Sequence, residues 1–262
     1  MKKIIAIVSL ALIIIGLLPD VAFIPLYTMF ELDITSLARE ESVDANESIA
    51  ETRRYFPLKE YDEYMIENVP CIRQFPKYPS GCESVATVMA LLYIGENITV
   101  DDFLGGYLET DSKFYSKDNR MHGPSPYEFF VGSPLSDTGW GCMAPVIEKA
   151  LLKYTKDEKR VFNTTSNDLD ELCARFVAND VPVIVWTTIA MLDVEYRISW
   201  GVPDGSLFRW PGNEHCMLLV GFDETHYYFN DPYTGCCVKY QKALAEDRYE
   251  KLGKQSLVVI SA

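Results

Sequence analysis

Cys82 lies in the run Gln74-Phe-Pro-Lys-Tyr-Pro-Ser-Gly-Cys-Glu-Ser84, where the sequence predicts the start of a helix. Ser80 is a favourable N-cap and Glu83, three residues on, completes a capping box. Gly81 and Cys82 then fall at the first two helical positions. Val85, Val88, Met89 and Leu92 recur at helical spacing, and Gly95 supplies the stop. A thiol in the first turn faces unpaired backbone N–H groups and the positive end of the helix dipole. Both favour the thiolate, which is the nucleophilic form. Taken alone, Cys82 reads more readily as a small buried core residue. What separates the two readings is a base and a group to orient it.

The chain has three histidines, His122, His215 and His226. His215 opens His-Cys-Met-Leu-Leu-Val-Gly-Phe222, an apolar strand-like run with its polar residue at the exposed end. After Asp223-Glu-Thr-His226 a second run, Tyr-Tyr-Phe-Asn-Asp, ends at Asp231 before Pro232. Together they predict an antiparallel hairpin carrying a base and a carboxylate near one end. Parity decides whether the two meet. With an even turn, Phe222 pairs with Tyr227 and Asp231 faces away from His215. A three-residue loop or a bulge returns both to one face, and the sequence leaves these alternatives open. His226 reads as a solvated turn residue, and His122, in Met121-His-Gly-Pro124, as a loop residue.

Several further stretches fall into a series: Val69-Pro-Cys-Ile-Arg-Gln-Phe75, Gly81-Cys-Glu-Ser-Val85, Gly139-Trp-Gly-Cys-Met-Ala-Pro145, Val181-Pro-Val-Ile-Val-Trp186, Glu214-His-Cys-Met-Leu-Leu-Val-Gly-Phe-Asp223 and Phe229-Asn-Asp-Pro-Tyr-Thr-Gly235. In this order they resemble the bacteriocin-processing-peptidase-like family of papain-fold cysteine peptidases, relatives of the double-glycine leader peptidases. The resemblance implies that Cys82 is the nucleophile, His215 the base, Asp231 its orienter and Gln74 the side chain that helps bind the oxyanion. A neutral N–H donor suits that last role, because it stabilises developing negative charge without quenching a thiolate. The distance from position 82 to position 215 lies within the roughly 130–150 residues of papain-type enzymes. Cys216 and the vicinal pair Cys236-Cys237 depart from the family pattern. The chain also has no GxxxxGK loop and no multi-span region, so a bacteriocin-export role does not carry over.

The elements that must hold these residues follow from periodicity. Ala144–Tyr154 and Asp168–Ala178 predict helices, the second with Leu169, Leu172, Cys173 and Phe176 on one face. Val181–Thr187 and Ser256–Ile260 predict buried strands. Helices first and strands later indicate an α+β fold with an antiparallel sheet. The resemblance makes it a papain-like cysteine peptidase fold, with the nucleophile helix packed on that sheet. Trp186, Trp200, Phe208 and Trp210 cluster before His215, either as core or as the wall of a cleft.

Lys2 and Lys3 precede an apolar run from Ile4 to Leu18. This predicts a signal peptide or N-terminal membrane anchor over residues 1–30, with the body outside the cytoplasm. Residues 31–64 are rich in Asp and Glu and predict an acidic stalk or linker, leaving 65–262 as the peptidase-like domain. The net charge of −14 argues against nucleic-acid binding, which depends on Lys and Arg. It also confines membrane contact to the N-terminal segment. Seven cysteines are present; with Cys82 set aside, six remain that could form disulfides in an oxidising compartment. No CxxC or HExxH pattern occurs, so neither a metal nor another cofactor is expected. The expectation is therefore an extracytoplasmic cysteine peptidase acting on a peptide or protein substrate. A peptidase-fold binding or wall-associated module without turnover is the alternative.

Overall fold

The computed structural model describes residues 56–157 and 160–262. The predicted N-terminal segment 1–30 lies outside them, as does most of the predicted linker. Among the described residues no helix is long and apolar enough to cross a membrane. One compact unit spans Phe56–Ala262. Phe56 is buried, and the Lys59 N–H donates to Ala174 O at 2.9 Å.

The chain runs through β1 (Tyr64–Met65), α1 (Cys82–Tyr93), α2 (Val100–Gly106), β2 (Thr110–Asp111), β3 (Tyr115–Lys117), β4 (Arg120–His122) and β5 (Phe130–Val131). It continues with α3 (Ala144–Thr155), β6 (Val161–Asn163), α4 (Leu169–Arg175), β7 (Val183–Thr188), β8 (Tyr196–Gly201) and β9 (Leu207–Pro211). The last elements are β10 (Glu214–Phe222), β11 (His226–Asp231), β12 (Cys236–Gln241), α5 (Lys242–Lys251) and β13 (Ser256–Val259).

A seven-stranded antiparallel sheet of order β12-β11-β10-β7-β13-β6 forms the centre, with β1 also paired to β10. The fold is the expected α+β. Every residue of β10 is buried, because helices cover both faces of the sheet. Cys216, Leu218 and Val220 pack with Ile184 and Trp186 of β7 against α1 and α3. Met217 and Leu219 point the other way and pack with Phe229 and with residues of α4 and α5. That alternation explains why β10 reads as continuously apolar: each of its faces meets a separate core.

The helix expected over Ala144–Tyr154 is α3. The one expected over Asp168–Ala178 ends as α4 at Arg175, and a 3-10 turn, Val177–Asn179, follows it. His226 opens β11 and bonds Thr225 Oγ1 at 2.8 Å, while His122 closes β4 and stacks on Tyr115. The tryptophan cluster is packing. Trp200 is fully buried, with ring centroids 5.6 Å from Trp140 and 6.2 Å from Trp210. Trp186 is fully buried on β7 and donates its Nε1–H to Cys142 O at 2.8 Å.

Candidate active site

Helix α1 begins at Cys82, but it is not capped as the sequence predicts. Gly81 is the N-cap and makes no side-chain capping bond. The Ser80 hydroxyl instead donates to Ser136 O at 2.7 Å and lies 3.1 Å from Gly139 O, tying the helix entrance to the 133–139 loop. Glu83, released from a capping box, turns inward. One carboxyl oxygen accepts the Cys142 N–H at 2.7 Å, and the other lies 3.3 Å from Cys82 Sγ.

His215 and Asp231 meet as a buried pair, with Nε2 2.6 Å from Oδ1. His215 is not at an exposed strand end; it is 2 % exposed, because the Tyr233 ring and the Asp231 turn cover it. The turn does pair Phe222 with Tyr227, the register that alone would separate the two residues. A bulge between Leu219 and Gly221 restores them to one face. Burial works against ionisation of Asp231. The hydrogen bond and charge of His215, aided by the Tyr233 N–H and Thr234, outweigh it and hold the carboxyl below its ordinary value.

Gln74 is buried beside the same turn. Its backbone N–H donates to Pro232 O at 2.8 Å and its Nε2 to Pro79 O at 2.8 Å. One amide N–H therefore braces the loop before Cys82, and the other is left to donate elsewhere. Gln74 Oε1 has no partner among the described residues.

Cys82 differs most from expectation. It is 6 % exposed and bonded to Glu83, and no hydrogen bond joins it to His215 among the described residues. Burial pushes its thiol well above the ordinary value, and the Glu83 and Glu214 carboxyls and the Cys216 thiol add to that. The Cys216 N–H, one residue past His215, acts in the opposite sense. The helix terminus favours a thiolate, while desolvation and the two adjacent carboxyls favour the thiol.

The carboxyls were legible only as a capping residue and a neighbour of His215. Glu83 and Glu214 are fully buried or nearly so, and their oxygens and Cys82 Sγ all lie within 4.8 Å of one another. Burial raises both carboxyls, and Glu83 also raises Glu214. Gly141 makes room for them. It holds φ +138°, and a Cβ there would stand 2.6 Å from Glu83 Oε1 and 3.1 Å from Glu214 Oε2. The remaining six cysteines are free thiols, of which Cys236 and Cys237 are exposed.

The model of the Peptidase_C39-like family matches residues 66–257, from just after β1 into β13. The chain belongs to that family. It is also 26% identical over 184 residues to the uncharacterized protein YvpB of Bacillus subtilis, covering 70% of each chain. A crystal structure described as a C39-like peptidase from Bacillus anthracis superposes with a TM-score of 0.66 at 23% identity, covering 77% of this chain and 99% of that one. That likeness is one of fold. Xylellain, a cysteine protease from Xylella fastidiosa, is more distant, with a TM-score of 0.37 at 11% identity over 77% of this chain and 87% of its own, and carries no argument. Membership in the C39-like family gives the papain-like cysteine-peptidase fold.

Proposed function

We propose that the protein is a cysteine peptidase in which Cys82, His215, Asp231 and Gln74 carry the reaction. The observation that carries this reading is the buried His215–Asp231 pair at 2.6 Å, placed on the strand whose next residue, Cys216, offers its N–H to Cys82. Asp231 occupies Nε2, so Nδ1 is the ring nitrogen left to exchange a proton with Cys82. The thiol proton passes to His215 and sulfur attacks the carbonyl carbon of the scissile bond. The first-turn N–H of Cys82, which has no partner within the helix, and the second N–H of Gln74 stabilise the oxyanion. His215 then protonates the leaving amine. Water, deprotonated by the same imidazole, cleaves the thioester and restores the thiol.

One observation favours the second reading, a binding module without turnover. Cys82 is buried and bonded to Glu83. Incubating the full chain with a peptide library and reading new N-termini by mass spectrometry separates the two. Cleavage that disappears in Cys82→Ala supports the peptidase; peptide retention without cleavage supports the module.

The body works outside the cytoplasm in this proposal, behind the segment that begins with Lys2 and Lys3 and continues into the apolar run. Protease added to intact cells is expected to digest the domain, or the domain is found in the medium. Full-length protein protected inside the cell overturns it.

A further inference from the structure

Glu83 follows the nucleophile in the chain and Glu214 precedes the base, and the fold turns both into one buried space. Glu83 is 0% exposed and Glu214 7%, and Glu214 Oε1 has no hydrogen-bond partner among the described residues. The titratable groups around them are the thiols of Cys82 on α1, Cys142 at the entrance to α3 and Cys216 on β10. None of these is a cation. The Trp210 ring closes the space near Gly141. Two carboxylates held this close with no cation beside them among the described residues do not both ionise, as in carboxyl pairs that share a proton.

We propose that Glu83 and Glu214 share a proton, and that this acid–carboxylate pair is a positioning device joining the Cys82 end of α1 to the His215 end of β10 and controlling ionisation of Cys82. The inference rests on the reading of Cys82 as the nucleophile. With one proton between them the pair carries a single negative charge. Glu83 then accepts both the Cys142 N–H and the Cys82 thiol hydrogen. When that proton is lost to solvent the pair carries two charges. The second charge opposes removal of the Cys82 proton and drives the two elements apart. At acid pH both carboxyls are protonated and neither effect operates.

The Glu214→Gln variant isolates this device, because its amide supplies Glu83 with a permanent N–H donor and no second charge. The rate of iodoacetamide labelling at Cys82 is followed by peptide mass spectrometry from pH about 5 to about 10 in the full-length protein. Above neutrality Glu214→Gln is expected to label about tenfold faster than wild type, the equivalent of one pKa unit, with the two curves converging in acid. Coincident curves throughout overturn the proposal. Should Glu214→Gln fail to fold, Glu83→Gln tests the same charge. The wild-type unfolding midpoint serves as well: raised carboxyls give stability that is lost as pH climbs from about 4.3. A midpoint that does not fall with rising pH overturns the shared proton. Labelling needs no substrate, so the outcomes separate. A shifted profile in a protein that cleaves nothing removes the peptidase reading, and coincident profiles in an active enzyme remove this one.

Discussion

His215 Nε2 and Asp231 Oδ1 lie 2.6 Å apart because β10 carries one residue more than β11 requires between Leu219 and Gly221. Leu219 pairs with Phe229 and Gly221 with Tyr228, which leaves Val220 as the extra residue. Without it the carboxylate would project through the opposite face of the sheet, since a shift of one residue inverts every side chain.

Replacing Asp231 with Asn therefore keeps a folded protein but removes the charge that orients the imidazole. The expected loss in kcat is about 10²–10⁴, the upper end matching the same change in other triads. Steady-state kinetics on the first peptide found to be cleaved measure it. An unchanged kcat removes Asp231 from the site.

The same pair makes an acid-side prediction. The Asp231 carboxyl sits below its ordinary value, so its contribution to stability is complete above about pH 4 and is lost as pH falls through the lower folded value. Unfolding midpoints measured from pH about 4 down to about 2 are expected to drop more steeply in wild type than in Asp231→Asn. Parallel curves would mean that the bond contributes nothing to folding.

Gln74→Ala is expected to lower kcat by about 10²–10³ with little change in substrate affinity, as for other single oxyanion donors. Its Nε2 bond to Pro79 O also braces the loop before Cys82, so a rise in KM alone would show that bracing is its entire role.

Trp186 fills the core between β7 and α3 and holds the Cys142 carbonyl at 2.8 Å. Trp186→Ala is expected to cost about 3–5 kcal/mol in urea unfolding, as for other large-to-small changes in a packed interior. A cost under about 1 kcal/mol would mean that the core collapses onto the gap.

Much of this arrangement was legible in the chain because its signals are local. Val85, Val88 and Met89 marked α1 by spacing, and β7 and β13 announced themselves as short apolar runs. The meeting of His215 and Asp231 depended on the bulge at Val220, which has no local signature in a run of buried aliphatic residues. The cap of α1 failed for a tertiary reason: Ser80 finds carbonyls of residues 136 and 139, and Glu83 finds the N–H of Cys142, far along the chain. The same distant contacts set burial and two carboxyls against the thiolate that the helix terminus favours at Cys82. Glu83 read as a capping residue and Glu214 only as the neighbour of His215, because the contacts that bury them come from Cys142 and Gly141, far along the chain.

The most direct test of the central claim is covalent labelling of the full-length protein with a peptide vinyl sulfone, a thiol-directed peptidase probe, read by intact mass and peptide mapping. One adduct at Cys82 is expected, lost in Cys82→Ala and strongly slowed in His215→Ala, while the exposed thiols of Cys236 and Cys237 remain unlabelled. Labelling confined to those exposed thiols, or a rate at Cys82 that does not depend on His215, would contradict the assignment of Cys82 as the nucleophile and His215 as its base.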